Sequence, residues 1–160
     1  MEKSLNDYVA SYQKAQCQGD VPIAYEYLLK YLMTLKTHFE RTFPSGYSFG
    51  NVSPDYMDFS YFPFFNAELR EKKLLFGIVL NHRQMRFELW MMGQNAQVQK
   101  DHWQRLKNTE WNKERAEMPR YSELEAVLAE SPDFDDLDAL SARIEQVEEE
   151  VADQILAHIQ

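Results

Sequence analysis

Two adjacent segments, residues 73–82 and 85–92, constrain the fold of this chain more than any other part of its sequence. Both are rich in apolar residues, and only Arg83 and Gln84 separate them. This spacing is typical of a tight antiparallel hairpin. The resulting register pairs Leu80 with Phe87, Ile78 with Leu89, and Phe76 with Met91. A slip of one residue would turn every apolar side chain to the other face, so the pattern specifies this register.

The reverse face of the hairpin carries a different chemistry. Its predicted pairs are Asn81 with Arg86, Val79 with Glu88, and Gly77 with Trp90. Because Gly77 has no side chain, we expect the Trp90 indole to lie over it. One face of the hairpin therefore belongs in a core, whereas the other combines charged groups with an aromatic ring.

Helical periodicity marks the N-terminal region. Apolar residues recur at helical spacing from Ser4, a predicted N-cap, to Gly19, a predicted terminator. A second helix is predicted from Asp20 and Pro22 to about Phe43, because the proline that follows disfavours helical geometry. We expect these two helices to form an antiparallel hairpin.

The C-terminal region contains two further predicted helices. Asn95 is placed to cap a helix that reaches about Lys107, and residues 108–119 are predicted to be irregular. Residues 121–130 fit either a helix or a strand. Residues 137–159 show apolar positions at spacings of three or four, which indicates a final helix.

The aromatic segment 55–65 predicts one more strand, after a loop over residues 44–54. Its alternation places Met57, Phe59 and Tyr61 on one face and Asp58, Ser60 and Phe62 on the other. We assign Asp58 and Ser60 to the sheet face of Glu88. The predicted fold class is α+β, with an N-terminal helical hairpin, a three- to four-stranded mainly antiparallel sheet and C-terminal helices. We expect a single domain over residues 1–160.

The acidic charge of the chain is concentrated at its C-terminal end. Residues 1–120 contain 16 Lys and Arg against 14 Asp and Glu, whereas residues 121–160 contain 1 against 12. The formal net charge of -9 disfavours nucleic acid as a partner, since phosphate binding requires a basic face. No apolar run is as long as a membrane span, and the N-terminus shows no secretory signal. With Cys17 as the only cysteine, we expect a cytoplasmic protein without membrane contact.

Sequence signatures of common catalytic and metal sites are missing. The five glycines are scattered rather than gathered in a phosphate-binding loop, and no nucleophile elbow occurs. The four histidines lack metal-ligand spacing, and the acidic residues 133–136 lack the glycine and glutamate of an EF-hand loop. We therefore predict no cofactor, no metal ion and no catalytic residue.

A candidate ligand pocket lies on the reverse face of the hairpin. An aromatic floor with a few convergent polar groups suits a small ligand. The residues assigned to this pocket are Asp58, Tyr61, Asn81, Arg86, Glu88, Trp90 and Asn95. The competing interpretation is a face that is covered by a helix and whose polar groups satisfy one another. We interpret the protein as a non-catalytic one that binds a small ligand or a protein partner.

The alternative function is a degenerate or unusual metal-dependent hydrolase. The predicted order of strands and helices resembles the core of the restriction-endonuclease-like fold. That family places metal-binding carboxylates on its second and third strands, followed by a lysine. Here Glu88 lies on the third strand, but Trp90 stands where the lysine is expected and the second strand has no aspartate. Two-metal hydrolysis needs at least two carboxylates, so this resemblance is incomplete.

The last predicted helix could serve as an interaction surface. Its apolar residues are Leu137, Leu140, Ile144, Val147, Val151, Ile155 and Ile159, and its other face is acidic. Such a stripe packs either on its own domain or on a twin helix in a homodimer.

Several segments resemble a family of small bacterial proteins known only as a domain of unknown function. They are YMDFSYF (56–62), LREKKLLFGIVLNH (69–82), RFELWMMGQNAQVQ (86–99), SPDFDDLDALSARIE (131–145) and the opening MEKSLNDYVASY (1–12). The resemblance implies no known activity and no functional residue. It implies a more β-branched segment where this chain has SELEAVLAE (122–130), which favours a fourth strand there.

Overall fold

The computed structural model describes residues 1–160, which form five helices and five strands. The helices are α1 (Leu5–Cys17), α2 (Val21–Thr42), α3 (Ala67–Glu71), α4 (Ala96–Leu106) and α5 (Leu137–Ile159). The strands are β1 (Ser48–Phe49), β2 (Phe59–Phe65), β3 (Leu74–Asn81), β4 (Arg86–Gly93) and β5 (Leu124–Ala129). The α+β class and the N-terminal helical hairpin are confirmed. None of the helices is long and apolar enough to cross a bilayer.

The β3–β4 hairpin has the predicted register. Leu80 lies opposite Phe87, Ile78 opposite Leu89, Phe76 opposite Met91, Asn81 opposite Arg86, Val79 opposite Glu88, and Gly77 opposite Trp90. The turn is closed by Gln84, whose backbone N donates to Asn81 Oδ1 at 3.1 Å. The burial of the apolar face selects this register, and the hydrogen bond from Gln84 to Asn81 selects the same one.

The five strands form one sheet in the order β1-β2-β3-β4-β5, and every neighbouring pair is antiparallel. Residues 121–130, which fit a helix or a strand, contain β5. Leu124, Ala126 and Leu128 are buried along it, whereas Val127 is exposed, so the period-two pattern prevails. A bulge between Phe87 and Glu88 adjusts the register of β4 against β5.

A hydrophobic core lies between one face of the sheet and helices α2 to α5. The strands contribute Phe62, Phe64, Phe76, Ile78, Leu80, Phe87, Leu89 and Met91, and the helices contribute Leu35, Phe39, Leu69, Leu106, Ile144 and Ile155. Every buried apolar residue of a helix belongs to this core cluster. The opposite face therefore receives no buried apolar helix residue, and we call it the helix-free face; Tyr61, Gly77, Glu88, Trp90, Met92 and Val127 lie on it.

The apolar stripe of α5 packs into the core of its own chain. Leu140, Ile144 and Ile155 are buried, whereas Leu137 at the start of the helix is exposed. Self-packing accordingly accounts for most of the stripe.

Three local boundaries differ from the sequence-based expectation. The predicted loop over 44–54 contains the short strand β1, and a short helix, α3, precedes β3. The predicted strand 55–65 begins only at Phe59, because residues 55–58 turn and Asp55 has a φ of 53°. Pro63 is tolerated within β2 because it faces β1 just beyond the end of that short strand, where no ladder bond from its nitrogen is needed. Its oxygen accepts from the backbone N of Gly50 at 2.8 Å.

The predicted face of Asp58 and Ser60 is wrong. Ser60 pairs with Leu80 and is buried on the core side, and Asp58 lies before the strand. The alternation itself was correct, but the phase relative to β3 was not. Because β2 and β3 are joined through α3 rather than by a tight turn, the sequence contains no spacing that fixes their register.

Candidate functional site

Glu88 is the centre of a hydrogen-bonded cluster on the helix-free face, and only 1% of this residue is exposed. Trp90 Nε1 donates to Glu88 Oε1 at 2.8 Å. Arg86 Nε and Asn81 Nδ2 donate to Glu88 Oε2 at 2.7 Å and 3.0 Å. Alternate residues of β4 share a face, which brings Arg86 and Trp90 to either side of Glu88. We call these four residues the Glu88 cluster.

The Glu88 cluster leaves the carboxylate with little capacity for an external ligand. Both of its oxygens accept hydrogen bonds from the protein, and Arg86 also reaches Glu130 at 3.4 Å. Buried ionised groups require such complete pairing. The cluster therefore stabilises the floor of the helix-free face, and the Glu88 carboxylate has no free oxygen for a ligand.

The sequence predicted that Trp90 would lie over Gly77, and this prediction is wrong. Its indole packs on Phe59, with ring centroids 4.8 Å apart, and its N–H is directed to Glu88. The space above Gly77 is taken by Met92, whose Cε lies 2.6 Å from the position that a Cβ on Gly77 would occupy. The flexible methionine, rather than the tryptophan, thus lies over the bare glycine.

The other residues assigned to the pocket lie in three different places. Tyr61 is on the helix-free face, opposite Val79. Asp58 is outside this face, and its Oδ1 accepts from the backbone N of Phe59 at 2.7 Å. Asn95 is the N-cap of α4, as predicted, and its Oδ1 accepts from Val98 N at 3.0 Å. Asp58 and Asn95 are therefore occupied by local backbone contacts.

Ser60 and His82 form a pair that the sequence analysis did not single out. Ser60 Oγ lies 2.8 Å from His82 Nε2 and 2.7 Å from the carbonyl oxygen of Pro54. Since the carbonyl can only accept, the hydroxyl proton is directed to it, and His82 donates to Ser60. Burial lowers the pKa of His82, which favours its neutral form. Ser60 is fully buried, so this arrangement is a structural bond rather than a nucleophile with its base.

A groove of about 510 Å³ lies on the helix-free face at the end distant from the β3–β4 turn. Its lining residues are Tyr61, Pro63, Phe65, Arg70, Lys73, Leu74, Leu75, Met92, Gly93, Gln94 and Tyr121. Tyr61, Leu75 and Met92 project from neighbouring strands, and Tyr121 comes from the irregular segment before β5. We call this feature the sheet groove.

The charge of the sheet groove is opposite to that of the whole protein. Arg70 and Lys73 are its only charged lining residues, and neither forms a salt bridge. The Arg70 guanidinium lies 5.9 Å from the centroid of the Phe65 ring, so its stem and the ring form part of one wall. On a chain of net charge -9, two unpaired cations beside apolar walls favour an anionic ligand.

Sequence reasoning found only Tyr61 among the residues of the sheet groove. Arg70 and Lys73 belong to α3 and to the residues that follow it, in a segment for which no helix was predicted. The available signal was Asn66, which caps α3 by accepting from Leu69 N at 2.9 Å. A cap of this kind in front of Glu68 would have placed a short helix that carries Arg70 beside β3.

The geometry gives little support to metal-dependent hydrolysis. Glu88 has no free oxygen, and no group of three His, Cys, Asp or Glu residues is close enough to hold a metal ion. Two-metal catalysis requires several such donors around one position. The order of elements also differs from the predicted order on which the resemblance to the endonuclease-like core was based. The structure contains β1 and α3 in addition, and its sheet is antiparallel throughout.

The comparison with protein families gives one match. The family described as Domain of unknown function (DUF7000) matches residues 5–159, which is nearly the whole chain. No curated protein and no solved structure matches the chain. The match agrees with the resemblance to an uncharacterised family and adds no activity to it.

Proposed function

We propose that this chain, which belongs to the DUF7000 family, binds a small anionic ligand with an apolar body in the sheet groove and does not catalyse a reaction. The observation that carries the proposal is the pair of unpaired cations, Arg70 and Lys73, in a groove without an acidic lining residue. A carboxylate or phosphate would pair with these cations, while the apolar part would lie on Tyr61, Leu75 and Met92.

The walls of the sheet groove suit such a ligand energetically. Tyr61 and Met92 are half-buried, so a ligand that covers them removes more apolar surface from water. Met92 is unbranched and flexible, which lets it adjust to different ligand shapes. The Glu88 cluster beside the groove keeps the sheet rigid and reduces the ordering cost of binding.

The proposal places the protein in the cytoplasm, without a nucleic-acid or membrane partner. Cys17 is free and exposed, which suits a reducing compartment. The acidic face of α5 disfavours phosphate-rich polymers. The basic character of the sheet groove is local, and two cations suit one small anion better than a long polyanion.

We expect Lys73→Asn and Arg70→Gln each to weaken binding of an apolar anion such as octanoate or phenyl phosphate by about tenfold, which corresponds to the loss of one charge-assisted contact. Asparagine is chosen for Lys73 because this residue has a φ of 59°, a conformation that asparagine tolerates. Isothermal titration calorimetry at two salt concentrations measures the effect, and affinity should fall as salt rises.

The matched control for this experiment is Lys72→Gln. Lys72 is adjacent to Lys73, but it does not line the sheet groove and lies 3.9 Å from Glu68. Its replacement should leave affinity unchanged. If Lys72→Gln weakened the affinity for the anion as much as Lys73→Asn does, the effect would reflect the net charge of the protein rather than contacts in the sheet groove. The absence of binding by every apolar anion tested would contradict the proposed function.

A further inference from the structure

A second cavity, on the core side of the molecule, is lined by a buried glutamate whose carboxyl group has no partner within the protein. It has a volume of about 260 Å³ and lies between the end of α2, the segment before β1 and α5. Its lining residues are Thr42, Phe43, Pro44, Tyr47, Glu145, Glu148, Glu149, Ala152 and Asp153. Glu148 is only 4% exposed, and its carboxyl group forms neither a hydrogen bond nor a salt bridge within the protein. We call this cavity the Glu148 pocket.

The Glu148 pocket is strongly acidic and lacks a lining cation. Glu145, Glu149 and Asp153 of α5 join Glu148 around it. His38 of α2 is bonded to Glu145. Lys36 of α2 is likewise engaged, at 3.1 Å from Glu40. None of the salt bridges of the protein pairs a cation with Glu148.

The remaining walls of the pocket are apolar or aromatic. Phe43 and Tyr47 pack edge to face, with ring centroids 5.2 Å apart, and Pro44 lies between them in sequence. Aromatic faces attract organic cations through the ring quadrupole. They offer nothing to a hydrated metal ion, and the carboxylates are not grouped closely enough to hold one.

We propose that the Glu148 pocket binds a primary ammonium group carried on a short alkyl chain. The three N–H donors of an ammonium match the buried Glu148 carboxylate and the carboxylates at the mouth of the pocket, and the alkyl chain lies against Phe43 and Tyr47. The small volume suits one such chain. The Glu148 carboxyl group has no donor within the protein, and this ligand supplies one.

Binding at this pocket is coupled to a proton. Burial, followed by the charges of Asp153, Glu149 and Glu145, raises the pKa of Glu148 to about 8. Near neutral pH the empty pocket therefore holds a protonated Glu148, and an incoming ammonium favours its ionised form. One proton leaves Glu148 for the solvent as the ion pair forms, so affinity should rise with pH up to about 8. Tyr47 faces the same pocket, but its pKa is raised by burial and it keeps its proton over this range.

The test is an NMR titration of the full chain with butane-1,4-diamine, with Nα-acetyl-lysine amide as a second arm. We expect amide shifts at Tyr47, Glu148 and Asp153, and Glu148→Gln should weaken binding by about tenfold or more. Glu150→Gln is the matched control, because Glu150 is exposed on the same helix and does not line the pocket. The Glu150→Gln variant should bind both amines with the affinity of the unchanged protein.

The two arms distinguish the source of the ammonium group. Tighter binding of the diamine assigns the pocket to a free amine, and tighter binding of the lysine derivative assigns it to a side chain of a protein partner. Shifts of equal size with butan-1-ol, or an equal loss in Glu150→Gln and Glu148→Gln, would overturn the proposal. The absence of amide shifts at the Glu148 pocket with both amines would overturn the proposal as well. That result would not affect the function proposed for the sheet groove.

Discussion

Replacing Glu88 by alanine is expected to lower the free energy of unfolding by about 3 to 5 kcal/mol, the range observed when one partner of a buried ion pair is removed. The substitution leaves Trp90 Nε1, Arg86 Nε and Asn81 Nδ2 without their acceptor in a site that is almost closed to water. Arg86 keeps its contact with Glu130, so the loss should lie near the lower end of that range. Urea unfolding, with a check that the m-value is unchanged, measures the difference.

Glu88→Gln should also be destabilising, by about 1 to 3 kcal/mol, although it preserves the shape of the side chain. The three groups around Glu88 all donate, and a glutamine can accept at only one of its two terminal atoms. Its amide nitrogen would therefore face a donor. This result would show that the site requires an acceptor at both positions.

Glu130→Gln is the matched control for the Glu88 variants. It removes the other carboxylate of Arg86, but the Glu130 side chain is 66% exposed. Surface pairs of this kind contribute about 0 to 1 kcal/mol. If Glu88→Ala costs no more than Glu130→Gln, then the Glu88 cluster is not a closed structural unit and the carboxylate is free for other chemistry.

The second large effect is a loss of stability as pH rises above neutrality. Burial raises the pKa of both Glu123 and Glu148 to about 8. The folded chain thus keeps two protons that the unfolded chain loses near the ordinary pKa of 4.5. Between these values the unfolded state binds fewer protons, so raising the pH favours unfolding. This stabilising contribution is complete below pH 4.5 and is lost as pH rises to about 8.

From pH 6.5 to about 8 the lowered pKa of His82 no longer affects stability, and the raised pKa of Glu125 acts in the same direction as the raised pKa values of Glu123 and Glu148. Each buried glutamic acid should contribute a slope of about 1.4 kcal/mol per pH unit, or about 2 kcal/mol over the window. Urea unfolding at a series of pH values measures the total. We expect the free energy of unfolding to fall throughout this range.

Glutamine variants separate the two buried acids. Glu148→Gln and Glu123→Gln should each flatten the slope by its own share, because the amide does not titrate. Glutamine at position 123 keeps a carbonyl oxygen for the backbone N of Gly93, which Glu123 Oε2 accepts at 2.9 Å. A pH profile that is flat in the unchanged protein would show that both carboxyl groups ionise normally in the folded state.

Local patterns in the sequence were sufficient to predict the elements that local rules determine. The register of β3 and β4 followed from the match of Phe76, Ile78 and Leu80 with their partners across a short turn. The N-caps Ser4 and Asn95 followed from residue type and spacing. In each case the interacting residues are close in sequence, so the pattern contains the geometry.

The features that escaped prediction depend on contacts between distant segments. Arg70, Lys73 and Tyr121 meet in the sheet groove only because α3 and the segment before β5 come to the same end of the sheet. The burial of Glu148 depends on how α5 crosses the end of α2 and Tyr47. From sequence alone, Glu148 was simply one of the acidic residues on the polar side of the last helix. Neither arrangement has a period or a spacing by which it could be recognised.

The claim that the helix-free face binds a ligand is tested most directly by the methionine methyl groups. Met91 and Met92 are adjacent in β4 but point to opposite faces, since Met91 is buried in the core and Met92 lines the sheet groove. In a titration of protein labelled with ¹³C at the methionine methyls, an apolar anion should shift Met92 and leave Met91 and the exposed Met33 in place. Shifts at Met33 without a shift at Met92 would contradict the account.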